Sequence, residues 1–258
     1  MIKSISDLTS EDIAGICDHT FLNRSEAYRE KAGKGESPVN LREKAFYNFL
    51  NETAESKLVP YAICIRPEDV LHARSYLDSK GKDQIVIASV AGFPDGSWYT
   101  TEFKINETRL AINNGANEID FVLNYNLMKN KDLKGIESEI SDINEVAKEK
   151  YDILTKMILE TSELSDEQII SACQIADRCA IDFVKTSTGF SSFGAKAEHL
   201  RIMRENFSRG VKMSGGVNYE NVRELLYAAS GRSDGYIDLD SKKIRIGESS
   251  LLGKLSSY

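Results

Sequence analysis

The chain alternates short apolar runs with longer segments in which apolar residues recur at helical spacing. The short runs are rich in β-branched residues, which favour strands. Eight such runs occur, at 16–22, 58–65, 84–93, 118–124, 154–160, 183–188, 210–216 and 243–249. Strands that alternate with helices are typical of βα units around a parallel sheet, and eight strands close a (β/α)8 barrel.

The segments between the runs predict helices at 67–80, 101–114, 132–150, 165–179, 196–207 and 219–229. Pro67 suits a first helical position, Ser165 starts a capping box with Gln168, and Gly115 follows a helix end. The alternative fold is an open, doubly wound sheet, but no Gly-x-Gly-x-x-Gly pattern follows the first strand to favour it. We therefore predict an α/β protein, a single (β/α)8 TIM barrel.

Domain organisation follows from length and loop composition. The 258 residues are close to the roughly 250 typical of such a barrel, and no low-complexity stretch divides them. We predict one domain over 1–258 with an insertion at about 24–40, a charged, glycine-containing segment after the first strand. This side of a barrel holds the active site, so the insertion is expected to cover part of the mouth or to form an interface.

Charge and cysteine content narrow the class of protein. Lys and Arg number 33 against 40 Asp and Glu, and the net charge of -7 argues against a general nucleic-acid or membrane-surface partner. The first ten residues lack the pattern of an export signal, and no window approaches the roughly 18 apolar residues of a membrane span. The cysteines show no Cys-x-x-Cys spacing, so we expect a cytoplasmic protein with reduced thiols and with Cys173 and Cys179 as packing residues.

Three consecutive strands each carry a lysine inside an otherwise apolar or small-residue run: Lys156, Lys185 and Lys212. Lysine is almost never fully buried, and both faces of a barrel strand are covered. Neighbouring strands would bring the ammonium groups together at the open mouth, where burial and like charge lower the lysine pKa. A lysine with a lowered pKa is the nucleophile of Schiff-base chemistry.

Acidic residues also occur within strands, at Asp120 and Asp18, where we expect them to carry protons. Two alternatives stay open for any single lysine. The lysines and aspartates form a purely structural ion-pair network, or the lysines point outward and extend past the helices.

Barrel enzymes often bind phosphate with the loops after strands seven and eight and a short extra helix. Here strand seven ends in Gly215-Gly216, and strand eight ends in Gly-Glu-Ser-Ser at 247–250 before a short helix starting at Leu251. Thr188-Gly189 after strand six would add a donor. The glycine pair is equally compatible with a simple turn, and Glu248 would repel a phosphate if it faced the site.

Several motifs resemble the deoxyribose-phosphate aldolase family, in order from about residue 16 to residue 255. The most specific are Lys-Thr-Ser-Thr-Gly at 185–189 and Lys-x-x-Gly-Gly at 212–216. Others are Asp-His-Thr at 18–20, Ala-Ile-Cys-Ile at 62–65, Ile-Ala-Ser-Val-Ala-Gly-Phe-Pro at 87–94, Asn-Glu-Ile-Asp at 117–120, Ile-Leu-Glu-Thr at 158–161 and Gly-Glu-Ser-Ser-Leu-Leu at 247–252.

The resemblance implies roles that composition alone does not assign. Lys185 would form the Schiff base, Lys212 would perturb it and shuttle protons, and Asp120 would be the acid/base partner. Lys156, Asp18 and Cys64 match further active-site positions, although Cys64 is also a plausible packing residue. The matching phosphate positions are Thr188, Gly189, Gly215, Gly216, Gly247, Ser249 and Ser250.

Two departures from the family pattern concern the pocket. Asn218 stands where the family commonly has arginine, and Ser162 stands where glycine often follows Glu-Thr. Some members carry a C-terminal tyrosine that reaches the site, but we expect Tyr258 to be an ordinary chain end. We expect His19 to be structural.

The resemblance implies a class I aldolase that reversibly cleaves 2-deoxy-D-ribose 5-phosphate to glyceraldehyde 3-phosphate and acetaldehyde. No cofactor or metal is expected, because the histidines show no ligand spacing and the imine itself withdraws electrons. A homodimer is expected from the family alone. Two alternatives are a Schiff-base aldolase for another phosphosugar and a catalytically silent barrel that binds phosphosugars.

Overall fold

The computed structural model describes residues 1–149 and 153–256. Its strands are β1 (Ile2–Ser4), β2 (Cys17–Phe21), β3 (Ala62–Ile65), β4 (Val86–Ala91), β5 (Glu118–Val122), β6 (Leu154–Ile158), β7 (Phe183–Lys185), β8 (Gly210–Ser214), β9 (Tyr236–Asp238) and β10 (Ile244–Glu248). Strands β2 to β8 lie in sequence order, and β10 joins β8 to β2 in a closed parallel barrel. The prediction of a (β/α)8 barrel is confirmed.

Each barrel strand lies within one predicted run, but several strands are shorter than their runs. The run at 183–188 contributes β7, Phe183–Lys185, and the remaining residues form the loop at the mouth. The small antiparallel sheet of β1 and β9 lies outside the barrel. Barrel geometry therefore places the residues after each strand, which carry most of the motifs, at one end of the molecule.

The helices are α1 (Ser10–Ala14), α2 (Pro38–Glu55), α3 (Val70–Ser79), α4 (Thr101–Asn113), α5 (Tyr125–Lys129), α6 (Leu133–Lys148), α7 (Asp166–Arg178), α8 (Ala197–Asn206), α9 (Val222–Ser230) and α10 (Leu251–Leu255). The predicted capping box of Ser165 and Gln168 is present at the start of α7. Pro67 instead opens a 3-10 turn, Pro67–Asp69, so α3 begins three residues later than predicted. Lys150, the predicted end of α6, lies outside the described residues.

Segment 24–40 contains a 3-10 turn, Ser25–Tyr28, and its last residues form the first turn of α2. Pro38 suits this position because its missing N–H would have no partner inside the helix. Among the described residues, no helix combines the length and apolar character that a bilayer span requires.

The inner face of the barrel is divided between apolar and charged side chains. Apolar residues of β3, β4, β5 and β6 form one small cluster there, which includes Cys64, Val90 and Val122. A larger apolar core lies between the strands and the helices. Charged side chains occupy the rest of the interior and define the site.

Candidate active site

The predicted lysines lie side by side on three adjacent strands. Lys156 is on β6, and Lys185 of β7 is in register with Lys212 of β8. All three point into the barrel and are at most 2% exposed. The outward orientation considered as an alternative is therefore wrong, because the alternation of the strands turns these side chains to the inner face.

Asp120 of β5 connects the three ammonium groups. Its Oδ1 accepts a hydrogen bond from Lys156 Nζ at 2.7 Å. Its Oδ2 accepts from Lys212 Nζ at 2.7 Å and from Lys185 Nζ at 3.0 Å. The carboxylate thus contacts every lysine of the group, and a proton can pass between Lys185 and Lys212 through one shared oxygen.

Asp18 of β2 forms the second acidic contact. Its carboxylate accepts a hydrogen bond from Lys212 Nζ and lies 3.9 Å from Lys156 Nζ. Asp18 and Asp120 are fully buried. Both predicted acids therefore lie within the lysine group.

Two buried members were missed by the sequence reasoning, Arg245 of β10 and Glu118 of β5. Arg245 Nε donates to Asp18 Oδ1 at 2.7 Å, and its Nη2 donates to Glu118 Oε2 at 2.9 Å. Glu118 also lies 2.5 Å from Lys156 Nζ. Strand periodicity could have found both, because Glu118 precedes Asp120 by two residues and Arg245 precedes Gly247 by two.

The acids reverse the expected effect on two of the lysines. Burial alone lowers the pKa of Lys212, but the carboxylates of Asp120 and Asp18 outweigh it and raise this pKa above its usual value. The pKa of Lys156 is likewise raised, against the effect of burial, by Asp120 and Glu118. The prediction that crowding by cations lowers the lysine pKa is therefore wrong for these two residues.

The acids respond in the opposite direction. Burial raises the pKa of Asp120, yet the surrounding lysines hold it well below the usual range. Arg245 and Lys212 likewise outweigh burial and lower the pKa of Asp18 to about 2. Both acids are therefore carboxylates at neutral pH.

Cys64 lies at the edge of this group, with its Sγ 3.8 Å from Asp120 Oδ2. Burial, and then the charge of Asp120, raise the pKa of the thiol. Cys64 also belongs to the inner apolar cluster. Its position therefore fits packing as well as contact with the site.

A cavity of about 700 Å³ opens above the charged group at the carboxyl ends of the strands. Lys185 lines it, whereas Lys156 and Lys212 lie beneath it. Six of the predicted phosphate positions also line it: Thr188, Gly189, Gly215, Gly216, Gly247 and Ser249. Ser250 lines a neighbouring groove instead.

The loops around the cavity are held by close contacts. Gly215 has a φ of +80°, and a Cβ atom there would lie 2.8 Å from the Cα of Gly194. Gly216 has a φ of +69°, and nothing lies within 4 Å of the position of a Cβ atom. Close packing therefore explains Gly215, whereas Gly216 leaves its backbone open to the cavity.

Glu160 holds the Thr188 loop and was also missed from the sequence. It has a left-handed backbone, with a φ of +54°, and its Oε2 accepts from Thr188 Oγ1 at 2.5 Å and from Thr188 N at 3.2 Å. Burial raises the pKa of Glu160. The Thr188 hydroxyl is thus already engaged by protein.

The family model of the DeoC/LacD aldolases matches residues 17–247 of the chain, which include every strand of the barrel except the last residue of β10. The chain belongs to this aldolase family. Among similar proteins, the deoxyribose-phosphate aldolase of Lactococcus lactis subsp. cremoris is 40% identical over 218 residues, which cover 83% of this chain and 88% of that protein. The one from Thermococcus kodakarensis is 39% identical over 175 residues, covering 67% and 77%.

Solved structures agree with the barrel of this aldolase. The tetrameric deoxyribose phosphate aldolase of Aeropyrum pernix superimposes with a TM-score of 0.74 at 24% identity. The match covers 98% of this chain and 94% of that one. At this identity the likeness shows the fold alone.

Three residues that the sequence analysis singled out near the pocket of this aldolase, Glu248, His19 and Asn218, form local contacts. Glu248 lines the cavity, but its side chain is buried and its carboxylate accepts from His19 Nδ1 at 2.7 Å and from Leu251 N at 2.5 Å. His19 stacks on Phe49 at 4.7 Å between ring centroids. Asn218 Oδ1 accepts from two backbone amides of the following turn, at Glu220 and Asn221.

Ser162 Oγ donates to Glu160 Oε1 at 3.3 Å and forms a hydrogen bond with Ser191 Oγ at 2.8 Å, so it connects two loops of the aldolase.

Cys173 is buried on α7 as predicted, and Cys179 is half-buried at the end of that helix. Tyr258 lies outside the described residues. Within 1–149 and 153–256, no group of His, Cys, Asp and Glu side chains is arranged to hold a metal ion.

Proposed function

We propose that this aldolase cleaves 2-deoxy-D-ribose 5-phosphate reversibly to glyceraldehyde 3-phosphate and acetaldehyde through a Schiff base on Lys185. The observation that carries the proposal is that Lys185, alone of the three lysines that contact Asp120, also lines the cavity. A substrate carbonyl in the cavity can reach this amine, whereas Lys156 and Lys212 are covered.

In the first stage the neutral amine of Lys185 attacks the aldehyde carbon of the open-chain sugar and forms a carbinolamine. Loss of water gives a protonated imine, which withdraws electrons from the neighbouring carbon. The hydroxyl at the third carbon then gives its proton, through a bound water, to Asp120 and Lys212, the bond between the second and third carbons breaks, and glyceraldehyde 3-phosphate departs. The electron pair of that bond forms a double bond between the first and second carbons, and the imine becomes a neutral enamine attached to Lys185.

In the second stage the enamine must gain a proton at its terminal carbon before hydrolysis releases acetaldehyde. Asp120 and Lys212 are the groups placed to supply it, because Lys212 Nζ and Lys185 Nζ bond the same Asp120 oxygen. A bound water can complete the transfer. The same groups accept a proton from acetaldehyde imine in the synthetic direction.

The phosphate of the substrate would lie at the far side of the cavity, against the backbone amides of Gly216 and Ser249. Apart from Lys185, no lysine or arginine lines the cavity among the described residues. Binding would therefore depend on backbone and hydroxyl donors.

We propose that the enzyme is cytoplasmic and forms a homodimer. Light scattering of the purified protein tests the oligomeric state.

Imine trapping tests the assignment of Lys185. Borohydride added with acetaldehyde should fix one ethyl group on Lys185, identified by peptide mass spectrometry. Lys185→Leu should abolish cleavage and keep the fold, since it removes a basic group from a buried cluster rich in them. Lys196→Leu, at an exposed lysine, is the matched control and should retain activity.

An unmodified Lys185 under these conditions would contradict the proposal. Cleavage rates across phosphorylated aldoses and ketoses distinguish deoxyribose 5-phosphate from another phosphosugar. A silent binding barrel would instead show a higher melting temperature with sugar phosphates and no cleavage.

A further inference from the structure

Two members of the charged group, Arg245 and Glu118, take no part in the proposed mechanism. Arg245 is fully buried and does not line the cavity, so a substrate cannot reach it. Its guanidinium bonds Asp18 and Glu118 and lies 3.8 Å from the ring centroid of Tyr61. An arginine with these partners stays charged at every pH at which the protein folds.

The charges of the group do not balance when every member is ionised. The contacts within 4.0 Å join three acids to four bases. The acids are Asp18, Glu118 and Asp120, and the bases are Lys156, Lys185, Lys212 and Arg245. Because a buried net charge is costly, the group is most stable when one lysine has lost its proton.

Of the three lysines, Lys185 makes the fewest contacts with acidic side chains. Lys156 lies within 2.7 Å of both Glu118 and Asp120, and Lys212 bonds both Asp18 and Asp120. Lys185 bonds one carboxylate oxygen, at 3.0 Å, which it shares with Lys212. It also borders the cavity, through which its proton can leave.

Other groups face Lys185 from the surrounding strands and loops. Asp18, Lys156 and Lys212 are members of the group already counted, and Cys64 is a thiol whose pKa is raised by burial. Glu160 above β6 is held by Thr188, and no basic group lies within 4.0 Å of it among the described residues. Burial raises the pKa of Glu160, and its carboxylate lies outside the contacts within 4.0 Å that define the group.

We propose that Arg245 and Glu118 are positioning residues whose fixed charges set the protonation state of Lys185. Arg245 forms ion pairs with Asp18 and Glu118, so the charge of these carboxylates is not available to the lysines alone. The buried group therefore has no net charge when Lys185 is a free amine. The proposal rests on the proposed function of Lys185 and identifies the source of its nucleophilicity. The neutralising agent is an arginine beneath the site rather than the neighbouring lysines alone.

The test is the pH dependence of Lys185 labelling by trinitrobenzenesulfonate, which reacts with free amines and requires no aldol turnover. Labelling is quantified by peptide mass spectrometry on the full chain. Arg245→Gln removes the surplus positive charge, so the labelling midpoint should rise by at least about one pH unit, which is about tenfold less labelling near neutral pH. Glu118→Gln increases the surplus and should lower the midpoint.

The double variant Arg245→Gln with Glu118→Gln restores the original balance, and its midpoint should return close to that of the parent. Arg178→Gln breaks an exposed pair with Glu137 and is the matched control, with an unchanged midpoint. A midpoint that does not move in folded Arg245→Gln would overturn the proposal, since a purely structural role changes stability but not this midpoint. If Arg245→Gln does not fold, Glu118→Gln decides in the same way.

Failure of this inference is distinct from failure of the proposed function. A low midpoint that responds to both variants, without aldol cleavage, supports the inference and contradicts the function. Imine trapping on Lys185 with a midpoint that ignores both variants supports the function and contradicts the inference.

Discussion

Replacing Asp120 by Asn should destabilise the protein strongly at neutral pH and much less at alkaline pH. The substitution keeps the shape of the side chain but removes the charge that contacts all three lysines at 2.7 to 3.0 Å. The remaining acids of the group, Asp18 and Glu118, then face four bases. A further lysine must lose its proton for the barrel to close around the group.

The cost follows from the proton that the folded variant gives up. Neutralising a lysine of ordinary pKa, about 10.4, at pH 7 costs about 4 to 5 kcal/mol at 1.36 kcal/mol for each pH unit. This agrees with the roughly 3 to 5 kcal/mol lost when one partner of a buried ion pair is removed. It is a large part of the roughly 5 to 15 kcal/mol that stabilises a typical domain.

The pH dependence has a definite sign. In the folded variant the pKa of that lysine lies below its unfolded value, so the unfolded chain binds one more proton than the folded chain. Stability then rises with pH until the unfolded lysine also deprotonates. The difference from the parent should therefore shrink by about 2 to 3 kcal/mol between pH 7 and pH 9.

Urea unfolding of parent and Asp120→Asn at pH 7 and pH 9, followed by circular dichroism, measures both quantities. Cleavage of deoxyribose 5-phosphate should also fall by roughly 10²- to 10⁴-fold, the usual contribution of an acid/base group. Asp78→Asn, at an exposed pair with Arg74, is the control and should cost at most about 1 kcal/mol at either pH. An Asp120→Asn variant within about 1 kcal/mol of the parent, or a deficit equal at both pH values, would refute the reasoning.

Two further outcomes are expected. Because the pKa of Asp18 is lowered to about 2 in the folded protein, its contribution of about 2 to 3 kcal/mol is present above about pH 4 and is lost as the pH falls towards 2. Acid unfolding of Asp18→Asn should lack this component, and an unchanged acid limb would contradict the assignment. Gly194→Ala places a methyl group against the carbonyl of Gly215, so KM for the phosphorylated sugar should rise by about tenfold or more. Gly253→Ala is the control and should leave KM unchanged, because its added carbon meets nothing within 4 Å. A normal KM in Gly194→Ala would show that the loop contact does not shape the cavity.

The order of the eight barrel strands and of most helices was readable from the sequence because the apolar period differs between the two elements, although helix α2 was not predicted. Period two also places alternate residues of a strand on one face, which brings Lys156 and Asp120 to the inside once the barrel closes. The motifs around Lys185 and Lys212 identified the family. These features depend on residues that are close in the chain.

The ion-pair partners of each buried charged side chain could be identified only from the tertiary structure, because they depend on the register between strands far apart in sequence. Arg245 and Glu118 are separated by 127 residues, yet their contact helps to set the charge balance beneath Lys185. The expected lowering of the pKa of Lys156 and Lys212 was wrong for this reason, since a sequence shows charged residues but not the distances between them. Only the closed barrel determined which lysine reaches the cavity and which two stay covered.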